Sequence, residues 1–91
     1  MKEIKNFLSK TGNTLTSNEW GYLKKIIVHN PTGYFTYKGF LEYIHSAMSK
    51  VGALKILNGF AEYGILIKDV NKRKEAIYKV NSEVLTYKFQ K

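Results

Sequence analysis

Apolar residues recur along this chain at two different spacings, and the change from one to the other divides it. Up to about residue 64 they fall three and four apart, the repeat of helices with one buried face; from Ile65 to Val80 they form two β-rich runs around a polar tip. In Lys2–Lys10 the stripe Ile4, Phe7 and Leu8 predicts a short amphipathic helix, and Thr11-Gly12-Asn13 reads as a turn after it. A second helix has a marked start. Thr16 is its N-cap, Glu19 completes a capping box, and Leu15 is placed to staple onto Trp20. It carries Trp20, Leu23, Lys24, Ile27 and Val28 through His29. It stops at Asn30-Pro31-Thr32-Gly33, because the proline ring disfavours helical dihedrals at Asn30. Tyr34-Phe35 reads as a short strand.

Thr36 is placed to cap a third helix, Tyr37–His45, with Phe40, Leu41 and Ile44 on one face, and Ser46-Ala47-Met48 is a turn. Ser49 caps a fourth helix. There Ala53, Leu57, Phe60 and Gly64 lie in a narrow arc, Leu54, Ile56 and Ala61 flank it, and Gly64 ends it as the residue after the C-cap. Ile65-Leu66-Ile67-Lys68 and Ala76-Ile77-Tyr78-Lys79-Val80 surround the charged stretch Asp69–Glu75 as a hairpin. In Asn81–Lys91, Ser82 can cap a helix built on Val84, Leu85 and Phe89, while Leu85, Tyr87 and Phe89 also alternate as in a strand; helix is the favoured reading. The expected class is α+β, mostly helical with a C-terminal β-hairpin, as a single domain over residues 1–91.

Composition narrows what such a domain does. With 91 residues it holds one modest core, which favours binding surfaces over an enclosed catalytic cavity. Fifteen basic residues against seven acidic ones give a formal charge of +8, a field that attracts nucleic acid or an anionic surface. Cysteine is absent, which excludes disulfides, thiolate catalysis and Cys-based zinc sites. No stretch approaches the roughly 18 apolar residues that span a bilayer, and Met1–Gly12 lacks the apolar core of a signal peptide. A soluble, cytoplasmic protein without membrane partners is expected. His29 and His45 stand apart from any second ligand, and no nucleophile and base are grouped, so neither a metal, a cofactor nor catalysis is expected. Tyr34, Phe35, Tyr37, Phe40, Tyr43 and Phe60 offer a stacking platform for single strands as one reading, but the helical spacing of most of them favours core packing.

The order helix, helix, short strand, helix, turn, helix, hairpin resembles that of winged helix-turn-helix DNA-binding domains. Tyr37–Tyr63 is similar to the helix-turn-helix, Tyr63-Gly64-Ile65-Leu66 to the exit from a recognition helix, and Ile65–Val80 to the wing. A recognition helix needs one face to anchor it and an opposite face free of bulky apolar groups that can enter a major groove. Val51, Gly52, Lys55, Asn58 and Gly59 lie away from the apolar stripe, and Ser49 and Lys50 sit at the helix N-terminus, where backbone N–H groups favour phosphate. Lys55 suits a base edge or a phosphate, Asn58 an adenine, Val51 a thymine methyl. Gly52 and Gly59 each cost about 1 kcal/mol relative to alanine inside a helix. Either they admit a close backbone or they are drift. At the tip, Asn71, Lys72, Arg73 and Lys74 concentrate charge where a wing meets sugar-phosphate; a merely solvated turn is the plain alternative.

Within the winged-helix class, Ser49-Lys50, then Leu57-Asn58-Gly59-Phe60 and Gly64, then Lys74 to Ile77-Tyr78 resemble the centromere-binding adaptors of tubulin-type plasmid and phage partition systems. That resemblance implies a homodimer that coats clustered repeats of double-stranded DNA, hands them to a tubulin-like GTPase filament and represses its own operon. The N-terminus is shorter than in that family, and the wing sequence departs from it. Repressors of the multiple-antibiotic-resistance type and small viral or plasmid regulators are similar as well, and a winged helix used for protein contact alone, or a cationic binder of anionic membrane surfaces, are the rivals from other classes. Ile4, Phe7 and Leu8, with Val84, Leu85 and Phe89, are the candidate dimer interfaces; packing on the domain's own core is the alternative for both stripes.

Overall fold

The computed structural model describes residues 15–85. Its elements are α1 (Ser17–His29), α2 (Tyr37–Ile44), α3 (Lys50–Glu62), β1 (Leu66–Val70), β2 (Ala76–Val80) and the short α4 (Ser82–Leu85). The expected helix at Lys2–Lys10 and the segment beyond Leu85 lie outside the described residues. The class is α+β, helices followed by an antiparallel hairpin, a layout compatible with a winged helix. Among the described residues no helix is long and apolar enough to cross a membrane.

Local chemistry sets the helix ends. At the start of α1 the Thr16 N–H donates to Glu19 Oε1 at 2.8 Å and the Glu19 N–H returns to Thr16 Oγ1 at 3.2 Å, the reciprocal pair of a capping box. Asn30 ends the helix with its N–H on the Ile26 carbonyl. Its side chain then accepts from the Gly33 N–H at 2.9 Å and donates to the Tyr43 hydroxyl at 3.0 Å, fastening the Pro31 loop to α2. Thr36 occupies the N-cap position of α2 as expected, yet its side chain makes no capping hydrogen bond. Helix α2 ends at Ile44 because His45 turns left-handed, with φ of 52°, and the His45 and Ser46 N–H groups fold back onto the Glu42 and Leu41 carbonyls.

Ser49 accepts from the Gly52 N–H at 3.1 Å and so caps α3. At the other end Gly64, with φ of 80°, donates to the Ala61 carbonyl and Ile65 donates to that of Phe60, a Schellman turn that sends the chain into β1. Strands β1 and β2 pair from Leu66↔Val80 to Val70↔Ala76. Phe35 adds a bridge on the outer side of β2, where it and Tyr78 exchange two backbone hydrogen bonds of 2.8 Å. The expected strand at Tyr34-Phe35 is this single bridge. After β2, Asn81 rather than Ser82 caps α4: its Oδ1 accepts from the Glu83 N–H at 3.0 Å. Its Nδ2 also donates to the Gly64 carbonyl, tying the end of the hairpin to the end of α3.

The core joins these elements. Leu23 and Ile26 of α1, Phe40 of α2 and Ala53, Leu57 and Phe60 of α3 are fully buried and meet Ile65, Leu66, Tyr78 and Val80 from the hairpin. Of the aromatic residues, Phe35, Phe40 and Phe60 are buried and Tyr37 and Tyr43 half-buried, so packing accounts for most of them; Tyr34 is left exposed. Val84 is also fully buried in this core, so of its two expected roles packing is the one seen. Ile4, Phe7, Leu8 and Phe89 lie outside the described residues, and of Leu85 only its backbone is described.

Candidate nucleic-acid interface

Helix α3 buries the arc Ala53, Leu57 and Phe60 and turns the opposite arc outward. Lys50, Val51 and Lys55 are exposed on it, Val51 with 77% of its surface accessible. An isolated valine so placed is left uncovered by its own domain. Ser49 is exposed at the helix start, and Gly52, Asn58 and Gly59 are half-exposed.

The two glycines differ. A Cβ on Gly52 would lie 3.0 Å from Met48 Cγ, so the turn before α3 packs on the bare backbone there. A Cβ on Gly59 would meet nothing within 4 Å. Gly52 therefore has an internal reason to be glycine, and Gly59 has none inside the domain.

Beyond Gly59 the outer face changes sign. Lys55, Asn58 and Gly59 share a shallow groove with Glu62 and with Glu19 of α1. Glu62 follows Lys55 by seven residues, two helical turns, so the same wheel that exposed Lys55 places this carboxylate directly beyond it. The face is cationic at its N-terminal half and anionic at its C-terminal half, and only the first suits a phosphate backbone.

The hairpin tip stands beside that cationic half. Asn71 organises it: its Oδ1 accepts from the Arg73 and Glu75 N–H groups at 2.9 and 3.0 Å, and its Nδ2 donates to Glu75 Oε1 at 3.2 Å. The Asn71 amide is thus committed to the turn, whereas Lys72, Arg73 and Lys74 are exposed. Lys74 is left-handed, with φ of 64°, the position of a three-residue hairpin loop where glycine sits without strain. Lys74 also lines a cleft of about 230 Å³ with Thr36, Tyr37, Lys50, Leu54, Glu75 and Ala76, between the tip, α2 and the first turns of α3. The Lys50 ammonium lies 5.2 Å from the centre of the Tyr37 ring, a cation–π contact that holds it at the cleft wall.

Sequence reasoning missed a residue that is visible only in three dimensions. The Tyr78 hydroxyl donates to Asn58 Oδ1 at 2.8 Å, joining β2 to the flank of α3. Tyr78 is itself fully buried, and burial raises its pKa above the ordinary tyrosine value, so the hydroxyl keeps its proton. The sequence places Tyr78 only within a β-rich run, and nothing in it marks the partner.

His29 stacks in parallel on Tyr43 with ring centres 5.3 Å apart, and among the described residues no three His, Asp or Glu side chains converge as metal ligands would. No protein-family model, curated protein or solved structure matches the chain.

Proposed function

We propose that this protein binds double-stranded DNA as a winged-helix homodimer, with the outer face of α3 from its start to Gly59 in the major groove and the hairpin tip, as a wing, on the sugar-phosphate backbone. The observation that carries the reading is the convergence of charge from two elements distant in sequence. Lys50 at the start of α3 and Lys74 at the tip line one cleft, and Lys55, Lys72 and Arg73 on the same two elements are exposed. Glu75 is the one carboxylate in that lining, so the two lysines leave the cleft net positive, a field that attracts a polyanion.

Contacts divide between the two parts. Lys72, Arg73 and Lys74 supply affinity blind to sequence, and Val51, Lys55 and Asn58 offer the few groups that touch base edges. Doubling across a two-fold axis adds a second half-site and compensates for this short reading head. We extend the proposal to a centromere-binding partition role, supported by the sequence resemblance at Ser49-Lys50 and Leu57-Asn58-Gly59-Phe60. There several dimers lie side by side on repeats and present them to a tubulin-like GTPase filament.

The test is a competition assay on the full chain. Binding to a selected duplex should survive excess random DNA, and Lys55→Ala should weaken the selected site more than random sequence. Equal loss on both, or no binding at all, contradicts the proposal. Footprinting separates its finer part: continuous protection over several adjacent repeats supports partition, and protection of one isolated operator supports an ordinary repressor.

A further inference from the structure

An asparagine in a major groove pairs with adenine through both ends of its amide, the oxygen accepting from N6 and the nitrogen donating to N7. Asn58 has the oxygen end of its amide engaged within the domain. Its Oδ1 accepts from the Tyr78 hydroxyl at 2.8 Å, and Tyr78 is fully buried in the core between β2 and α3. The amide oxygen is therefore aimed inward. Among the described residues Asn58 Nδ2 has no acceptor. Since no buried side-chain polar atom among them lacks a partner, that nitrogen is on the solvent side. Turning the amide over would set its N–H₂ against a hydroxyl whose only proton is then free to rotate away, but that rotation leaves the proton inside the apolar core without an acceptor. An unmade bond of this kind costs more than a neutral hydrogen bond contributes. The amide thus has one favoured polarity, set from behind.

We infer that Tyr78 is a positioning residue that fixes the polarity of Asn58, so that Asn58 presents a hydrogen-bond donor to the duplex and reads an acceptor in the major groove. This rests on the DNA-binding reading above. The acceptors available are N7 of either purine, O6 of guanine and O4 of thymine. Cytosine, whose major-groove edge offers the N4 donor, is the base excluded.

Selection of duplexes from a randomised pool with wild type and Asn58→Ala identifies the base pair that Asn58 contacts as the one whose preference is lost. Anisotropy titrations then compare that duplex with its cytosine variant. Wild type should disfavour cytosine there by about fivefold, the worth of one neutral hydrogen bond. Where that base is a purine, its 7-deaza analogue should lose the preference. In Tyr78→Phe the amide is free to turn, and discrimination against cytosine should fall below about twofold while affinity for random duplex stays at the wild-type level. A purely structural role for Tyr78 would lower both affinities together.

Unchanged discrimination in Tyr78→Phe overturns the inference and leaves the DNA-binding reading standing. Absence of duplex binding by wild type overturns both. Should Tyr78→Phe fail to fold, proton NMR of wild type decides: a slowly exchanging Tyr78 hydroxyl proton close to the Asn58 side chain supports the inference, and a hydroxyl in fast exchange with water overturns it.

Discussion

Lys50 and Lys74, on different elements and 24 residues apart in sequence, both line one cleft of about 230 Å³ between α3 and the hairpin tip. Two lysines that line one space with the single carboxylate of Glu75 share whatever anion enters it, so their contributions to DNA binding are expected to be coupled. In a double-mutant cycle, Lys50→Ala and Lys74→Ala should each weaken duplex binding, and the double variant should lose less or more than the sum by at least about 0.5 kcal/mol. Strict additivity in anisotropy titrations would mean that the two lysines serve separate phosphates.

Lys74 also separates fold from function. Its left-handed φ of 64° suits glycine, so Lys74→Gly should raise stability in urea by up to about 1 kcal/mol while lowering duplex affinity. The same backbone argument applies at His45, with φ of 52°, which lies outside the proposed interface. His45→Gly should stabilise the fold by a similar amount and leave DNA binding as it was.

The glycines of α3 give a second pair of opposites. Gly59→Ala enters open space and should stabilise the helix by about 1 kcal/mol. If the DNA backbone passes close to Gly59, the same change weakens binding. Gly52→Ala pushes on Met48 at 3.0 Å, which offsets its helical gain, so thermal melts should show little stabilisation or a loss.

Tyr78 predicts an alkaline limit. Its pKa is raised by burial, so below about pH 10 the folded and unfolded chains are both protonated and the group makes no pH-dependent contribution. As pH rises above that value the unfolded chain releases the proton while the folded chain retains it, and stability falls toward the folded pKa. Tyr78→Phe should flatten this alkaline part of a stability profile measured by chemical denaturation, and leave the profile near pH 7 parallel to wild type.

Most of the helix boundaries were legible because each is marked by short-range chemistry. Thr16 with Glu19, Pro31 after Asn30, Ser49 and Gly64 all act within four residues. Where the structure departs from the reading, an ordinary residue does a specialist's work. His45 and Lys74 adopt left-handed backbone without being glycine, and Asn81 caps α4 in place of the expected Ser82. Asn71 was read as a phosphate contact on its position alone, but its amide closes the loop that presents Lys72, Arg73 and Lys74. Asn58 lay correctly on the outer flank of its helical wheel, yet its bond to Tyr78 joins residues twenty apart and follows from no local period. Glu62 could have been found, since a spacing of seven puts it on the Lys55 face.

The central claim, that the cationic half of α3 and the hairpin tip bind a DNA backbone, is tested most directly by the salt dependence of duplex affinity. Each phosphate neutralised lowers the slope of log K against log salt by about 0.9. The account predicts a slope of about −3 or steeper for wild type, made shallower by about 0.9 for each backbone contact removed when Lys72, Arg73 and Lys74 are neutralised together. A flat response from low to moderate salt, or a slope untouched by that triple substitution, would contradict it.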